Sequence, residues 1–137
     1  MNIAAIEPEY LVYWWPKCRP GLEEMLHCYS NGDYSEDDIL ERLTRGEWQL
    51  FLVLDDDDII ASLVCVLNDT PTGRVFEVGM CWGRDADHWT ADIYEAFSRI
   101  GKDMGCSRMS LNGRPGWRKL ARSLGFKINS VTFGRDL

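Results

Sequence analysis

Trp89, Ile93, Phe97, Ile100 and Met104 recur at steps of four, four, three and four, which places all five on one face of a long helix. Gly105 supplies the stop. Leu22, Met25, Leu26 and Tyr29 repeat the same stripe over a shorter stretch, and Asn31-Gly32 should end it. Another helix should open at Ser35, whose hydroxyl can cap the amide near Asp38, with Ile39, Leu40 and Leu43 turned inward and Gly46 as its stop. Pro115 suits a first helical turn, Trp117, Leu120 and Leu124 would face inward, and Gly125 closes the segment.

Elsewhere the pattern is that of strands. Trp48–Leu54 and Ile59–Leu67 are apolar runs rich in β-branched residues, joined by four consecutive aspartates, Asp55 to Asp58, as in a hairpin with a charged loop. Asn68 to Gly73 reads as a turn, and Val75–Trp82 as a third strand that completes an antiparallel meander. Met1–Trp15 reads as an opening strand or bent strand pair, broken by Pro16 and Pro20-Gly21. Arg108–Asn112 and Lys127–Phe133 are the last two expected strands. The order β-α-α-β-β-β-α-β-α-β predicts an α+β fold, helices layered on a mixed sheet, in a single domain spanning residues 1–137.

Composition narrows the function classes. With 45% apolar and 27% charged residues the chain is globular in balance. Its longest mainly apolar run, Ile59–Leu67, falls far short of the roughly 20 residues of a membrane span, and no basic segment precedes the first apolar residues as in a secretory signal. The five cysteines are odd in number and form no C-x-x-C pair, which fits free thiols in a reduced, cytosolic compartment. His27 and His88 are too far apart to anchor a metal site. On a helix, neighbouring His27 and Cys28 diverge by about 100° and cannot act as a catalytic pair. The Asp55–Asp58 run lacks the spacing of a calcium loop and reads as a solvated hairpin tip.

Charge is unevenly distributed. The net charge is −7, yet residues 1–69 hold 15 acids against 4 bases, and residues 70–137 hold 7 acids against 11 bases. Between Met104 and Arg135 there is no acid, and Arg108, Arg114, Arg118, Lys119, Arg122, Lys127 and Arg135 fill the stretch. Two readings stand side by side: a solvated basic face, or an anion site for a phosphate-bearing ligand, nucleic acid or an acidic partner. The overall acidity argues against non-specific duplex binding. Six tryptophans are many for this length, and adjacent Trp14 and Trp15 cannot both point inward from one strand. One of them should then meet a protein partner or a groove rim.

The meander followed by helix-strand-helix-strand resembles the GCN5-related N-acetyltransferase (GNAT) fold. The closest local match is the late helix, Trp117-Arg118-Lys119-Leu120-Ala121-Arg122-Ser123-Leu124-Gly125-Phe126, with its Leu-Gly-Phe ending. The resemblance implies a mixed sheet with helices on both faces, acetyl-CoA as cofactor, and transfer of its acyl group to an amine. It also implies site residues. Glu77 stands where the family keeps a general-base carboxylate, although the strand pattern alone makes it an outward-facing residue. Splayed strands around Gly79 and Cys81 would hold the pantetheine arm by backbone pairing, and Arg114, Arg118 and Lys119 would meet phosphates. Gly83 and Arg84 fall in the pyrophosphate loop, and Asn112 can replace the asparagine that opens the late helix.

That loop keeps one glycine and carries Asp85 and Asp87, which repel phosphate, while Ala121 takes the place of the family's proton-donating tyrosine. Small GNAT-like proteins of tailed phages show a similar pattern. The resemblance therefore admits two functions: an acyl-CoA-dependent N-acetyltransferase, or an inactive GNAT-like scaffold, such as a phage virion or assembly protein, docking a protein through Trp14/Trp15 or the basic C-terminal half. The corresponding locations are the cytoplasm or a virion.

Overall fold

The computed structural model describes residues 1–29 and 33–137. Five strands form one sheet in the order β1-β2-β3-β4-β5: β1 (Asn2–Ile6), β2 (Gln49–Asp55), β3 (Asp58–Thr70), β4 (Gly73–Gly83) and β5 (Cys106–Leu111). The first three pairings are antiparallel and β4–β5 is parallel. Helices α1 (Leu11–Tyr29) and α2 (Glu36–Thr44) lie between β1 and β2 in sequence, α3 (Ala86–Asp103) joins β4 to β5, and α4 (Arg118–Ser123) follows β5. This is the expected α+β mixed sheet built around a meander.

The sheet is buried on both faces by alternation along its strands. On β2, Leu50, Leu52 and Leu54 pack with Trp15, Leu22, Ile39 and Leu43 of α1 and α2, whereas Phe51 and Val53 pack with Trp89, Ile93 and Phe97 of α3. The hairpin closes at Asp56-Asp57, with Asp56 in the left-handed region at φ 52°, which aspartate tolerates better than most residues. The following turn is tighter than expected, because β3 runs on to Thr70 and leaves only Pro71-Thr72. At the start of α2 the capping box forms: Ser35 Oγ accepts the Asp38 amide at 3.2 Å, and Asp38 Oδ2 accepts the Ser35 amide at 2.9 Å. The stripe of α3 is buried through Trp89, Ile93 and Phe97, but Met104 is 46% exposed beyond the last turn.

Two expectations give way at the ends of the chain. Only Asn2–Ile6 is a strand; from Leu11 the chain is helical, straight through Pro16 and Pro20. Interior prolines cost a helix about 3 kcal/mol or more each. Here Leu11, Trp15, Cys18 and Leu22, at steps of four, three and four, are all buried, and each large apolar side chain contributes about 1.5–3 kcal/mol. The Trp82 indole N–H also donates to the Cys18 carbonyl at 3.0 Å, beside Gly21, where a Cβ would lie 2.5 Å from the same ring. Tertiary burial outweighs the breakers, and Trp14 and Trp15 are helical: Trp15 is buried and Trp14 meets Tyr13 edge-on at 5.0 Å. The expected end at Asn31-Gly32 and the side chains of Cys28 and Tyr29 lie outside the described residues. At the other terminus Lys127–Phe133 forms no strand. Its apolar positions switch parity between Ile128 and Val131, so no single face of a strand stays apolar.

Candidate functional site

β4 and β5 part company at Val78. Their parallel register runs from Arg74↔Cys106 to Val78↔Leu111, and the Asn112 amide adds a last bond to the Val78 carbonyl at 3.0 Å. β4 continues to Gly83 with β3 on one side and, among the described residues, no strand on the other. Where the strands separate, the β3–β4 register jumps from Cys65↔Val78 to Val64↔Met80, leaving Gly79 as the extra residue of a bulge. A Cβ on Gly79 would meet only the Val64 carbonyl, at 3.7 Å, so the bulge does not depend on glycine.

The opening leads into an apolar cleft of about 50 Å³ between β4, β5, α3 and α4, lined among others by Val78, Cys81, Leu111, Trp117, Leu120 and Ala121. Trp117 sits 6.0 Å from Trp89, ring to ring, and so pins the start of α4 to the start of α3. Burial pushes the Cys81 thiol up to about 12, and the positive charge of Arg114 opposes that shift. Cys81 is therefore a neutral thiol at neutral pH and not a nucleophile. A wider depression of about 290 Å³, walled by Asn2, Val53, Asp92, Glu95 and Arg99, holds none of the expected site residues.

Gly79, Cys81, Asn112 and Arg114 thus gather where the strands part. Glu77 alternates with Phe76 and Val78, whose side chains join the α3-side core, so it belongs to the opposite face; its Oε1 accepts a bond from the Asn68 side-chain amide at 3.2 Å. Arg118 and Lys119 are exposed on α4. Gly83 and Arg84 lie at the far end of β4 in a two-residue connection, Arg84-Asp85, before α3 begins.

That connection is tightly tied. Gly83 is at φ 153° with its α-carbon against the neighbouring strand, where a Cβ would sit 2.5 Å from the Ile60 carbonyl oxygen. The Arg84 guanidinium reaches back to Asp58 at 2.6 Å and to Asp85 at 3.7 Å, and its carbonyl accepts the Trp89 indole N–H at 2.7 Å. Asp85 itself is left-handed, at φ 56°, and makes no side-chain cap. The residues fit half of an acyl-CoA: the open β4 edge offers backbone groups to an amide-bearing arm, whereas the β4–α3 turn offers a diphosphate no glycine-rich cradle, two acids and an arginine already paired. Sequence reasoning missed Asp58 as the partner of Arg84, since the two are 26 positions apart and no local pattern links them. Among the described residues, no three His, Cys, Asp or Glu side chains form a metal-binding group.

No family model matches the sequence, and no curated protein matches it significantly. Solved structures do match in three dimensions along nearly the whole chain. A probable acetyltransferase superposes with a TM-score of 0.74 at 16% identity, covering 100% of this chain and 97% of the other. The aminoglycoside N-acetyltransferase AAC(6')-Iy in complex with CoA gives 0.67 at 17% identity, covering 99% of each chain. A ribosomal-protein-alanine N-acetyltransferase from Brucella melitensis biovar Abortus 2308 gives 0.68 at 14% identity, covering 100% of each. The chain has the fold of the GNAT acetyltransferases.

Proposed function

We propose that the protein is an acyl-CoA-dependent N-acyltransferase with a weakened hold on the nucleotide end of its donor. The observation that carries this reading is the unpaired β4 edge beyond Val78, opening on an apolar cleft beside the basic residues of α4. Acyl-CoA supplies an activated thioester. In this reading Gly79–Cys81 pair with the pantetheine arm, Arg114, Arg118 and Lys119 meet its phosphates, and Glu77 takes the proton lost by the acceptor amine. Ala121 cannot protonate the departing thiolate, so that proton comes from water.

Calorimetric titration with acetyl-CoA tests the reading. Binding no tighter than about millimolar, near −4 kcal/mol, is expected for the native chain. Replacing Asp85 and Asp87 by glycine should tighten it, since two charges leave and Asp85 already has a backbone glycine adopts freely. Charge reversal at Arg118 and Lys119 should loosen it. The two-residue β4–α3 turn and Ala121 favour a second reading, a catalytically silent scaffold, of phage virion or assembly type, that docks a protein through the basic C-terminal half or the exposed Tyr10 and Tyr13 beside Trp14. Absence of acetyl-CoA binding in both the native and the double-glycine form overturns the first reading in favour of the second.

A further inference from the structure

Asn112-Gly113 follows directly on Leu111, the last residue of β5, and is one of two Asn-Gly pairs in the chain, the other being Asn31-Gly32. Both residues are exposed, and neither belongs to a helix or strand. The Asn112 backbone amide is held by the Val78 carbonyl at 3.0 Å. The next amide, that of Gly113, donates to nothing among the described residues, and the Asn112 side-chain amide has no partner there either.

An asparagine in this setting can react with its own main chain, because the nitrogen of the following residue closes a small ring on its side-chain carbonyl carbon. With glycine next, no Cβ shields that nitrogen, and the backbone turns freely enough to bring it up. The other described asparagines are less exposed to this chemistry. Asn68 lies on β3, and its side-chain amide donates to Glu77 at 3.2 Å. Asn129 is as exposed as Asn112 but is followed by Ser130, whose Cβ stands beside the nitrogen.

We propose that Asn112-Gly113 is a site of spontaneous deamidation on the rim of the cleft. The Gly113 nitrogen forms a bond to Asn112 Cγ, the Cγ–Nδ2 bond breaks, and the amide leaves as ammonia with the proton that the Gly113 nitrogen gives up. Water then opens the ring. Opening at Cγ gives aspartate, and opening at the main-chain carbonyl gives isoaspartate; nothing is oxidised or reduced. Each product adds one negative charge to a chain of net charge −7, two residues from Arg114 and at the end of the β4–β5 seam. In isoaspartate the main chain also gains a carbon ahead of Gly113, where there is no slack: a Cβ on Gly113 would already lie 3.3 Å from that of Trp117. Trp117 packs on Trp89, so the start of α4 must shift. The rim therefore turns from neutral to acidic with time, and the hold of the cleft on an anion weakens. That consequence rests on the acyl-CoA reading; the reaction itself does not.

Incubation of the full chain at mildly alkaline pH, followed by peptide mapping in a mass spectrometer, tests the proposal. The peptide containing Asn112 should gain the mass of OH in place of NH2 several-fold faster than those containing Asn68 or Asn129, as a mixture of aspartate and isoaspartate. Asn112→Gln, whose longer side chain closes the ring far less readily, should abolish the change at this site. Conversion of Asn112 no faster than that of Asn129, or seen only when the chain is unfolded in urea, overturns the proposal. The acidic form whose map shows conversion at Asn112, separated by ion exchange, should melt at a lower temperature and bind acetyl-CoA several-fold more weakly than the fresh chain. Equal affinity in the two forms overturns the effect on the cleft. Binding by neither overturns the acyl-CoA reading instead, and the peptide map still decides the modification.

Discussion

Phe97→Ala is the substitution through which the α3 side of the molecule can be weighed. The Phe97 ring is 1% exposed and lies 4.8 Å from that of Phe51 on β2 and 5.1 Å from that of Phe76 on β4, so one side chain ties α3 to strands on both sides of β3. Truncation removes a fully buried aromatic, leaves a cavity between rigid strands, and breaks two aromatic contacts of about 0.5–1.5 kcal/mol each. Taken together, the loss should be about 3–5 kcal/mol. That is a large part of the roughly 5–15 kcal/mol by which a domain is stable. Chemical denaturation monitored by tryptophan fluorescence would give the value, provided the denaturant slope matches that of the native chain. Arg99→Ala on the exposed face of the same helix, with its side chain 71% exposed, is the control and should change stability by no more than about 0.5 kcal/mol. A loss below about 1 kcal/mol for Phe97→Ala would mean that α3 does not pack through this face.

Ser62 is 1% exposed and its hydroxyl has no hydrogen-bond partner among the described residues, so Ser62→Ala should be neutral or stabilise by about 1 kcal/mol in thermal or chemical denaturation, and a loss of that size would refute the placement. Ser35→Ala removes the α2 cap and should cost about 1 kcal/mol. The Ser35 bonds hold the Asp38 carboxyl below its ordinary 3.8; a lowered carboxylate stabilises the fold above that pH, so the difference between native and variant melting should shrink as the pH falls below it. Burial raises the thiols of Cys18 and Cys81 from 9.0 to about 12, and that of Cys65 also upward. Groups that stay protonated when folded but ionise near pH 9 when unfolded contribute stability below that pH, so the denaturation midpoint should fall as the pH rises from 9 towards 12. Substituting alanine at the three positions should flatten that decline, and an unchanged slope would count against their burial.

How far the sequence disclosed the fold depended on whether the deciding contact was local. The α3 stripe, the Ser35–Asp38 cap and the aspartate-tipped hairpin are set by residues a few positions apart, and they form where the pattern places them. α1 was obscured by Pro16 and Pro20, because local propensity counts the cost of a proline but not the burial of Leu11, Trp15, Cys18 and Leu22 that offsets it. Of the candidate site, the positions of Gly79, Cys81, Asn112 and Arg114 follow from a resemblance in element order. The bulge, the engagement of Arg84 by Asp58 and the closing of the turn by Trp89 arise only when distant segments meet. Lys127–Phe133 shows the reverse case: β-favouring residues whose apolar positions change parity along the segment do not make a strand.

The order of strands across the sheet also bears on how the chain reaches it. β2, β3 and β4 are consecutive in sequence and joined by turns of two residues, so the central three strands can zip together while the loops to be closed are still short. The two outer strands cannot. β1 must wait until α1, α2 and β2 have all been made before it finds its place, and β5 must wait for the whole of α3. On a ribosome the meander would therefore be complete while residues 84–137 were still emerging. Made in that order, the last seam to close would be the parallel one between β4 and β5, beside which the cleft opens.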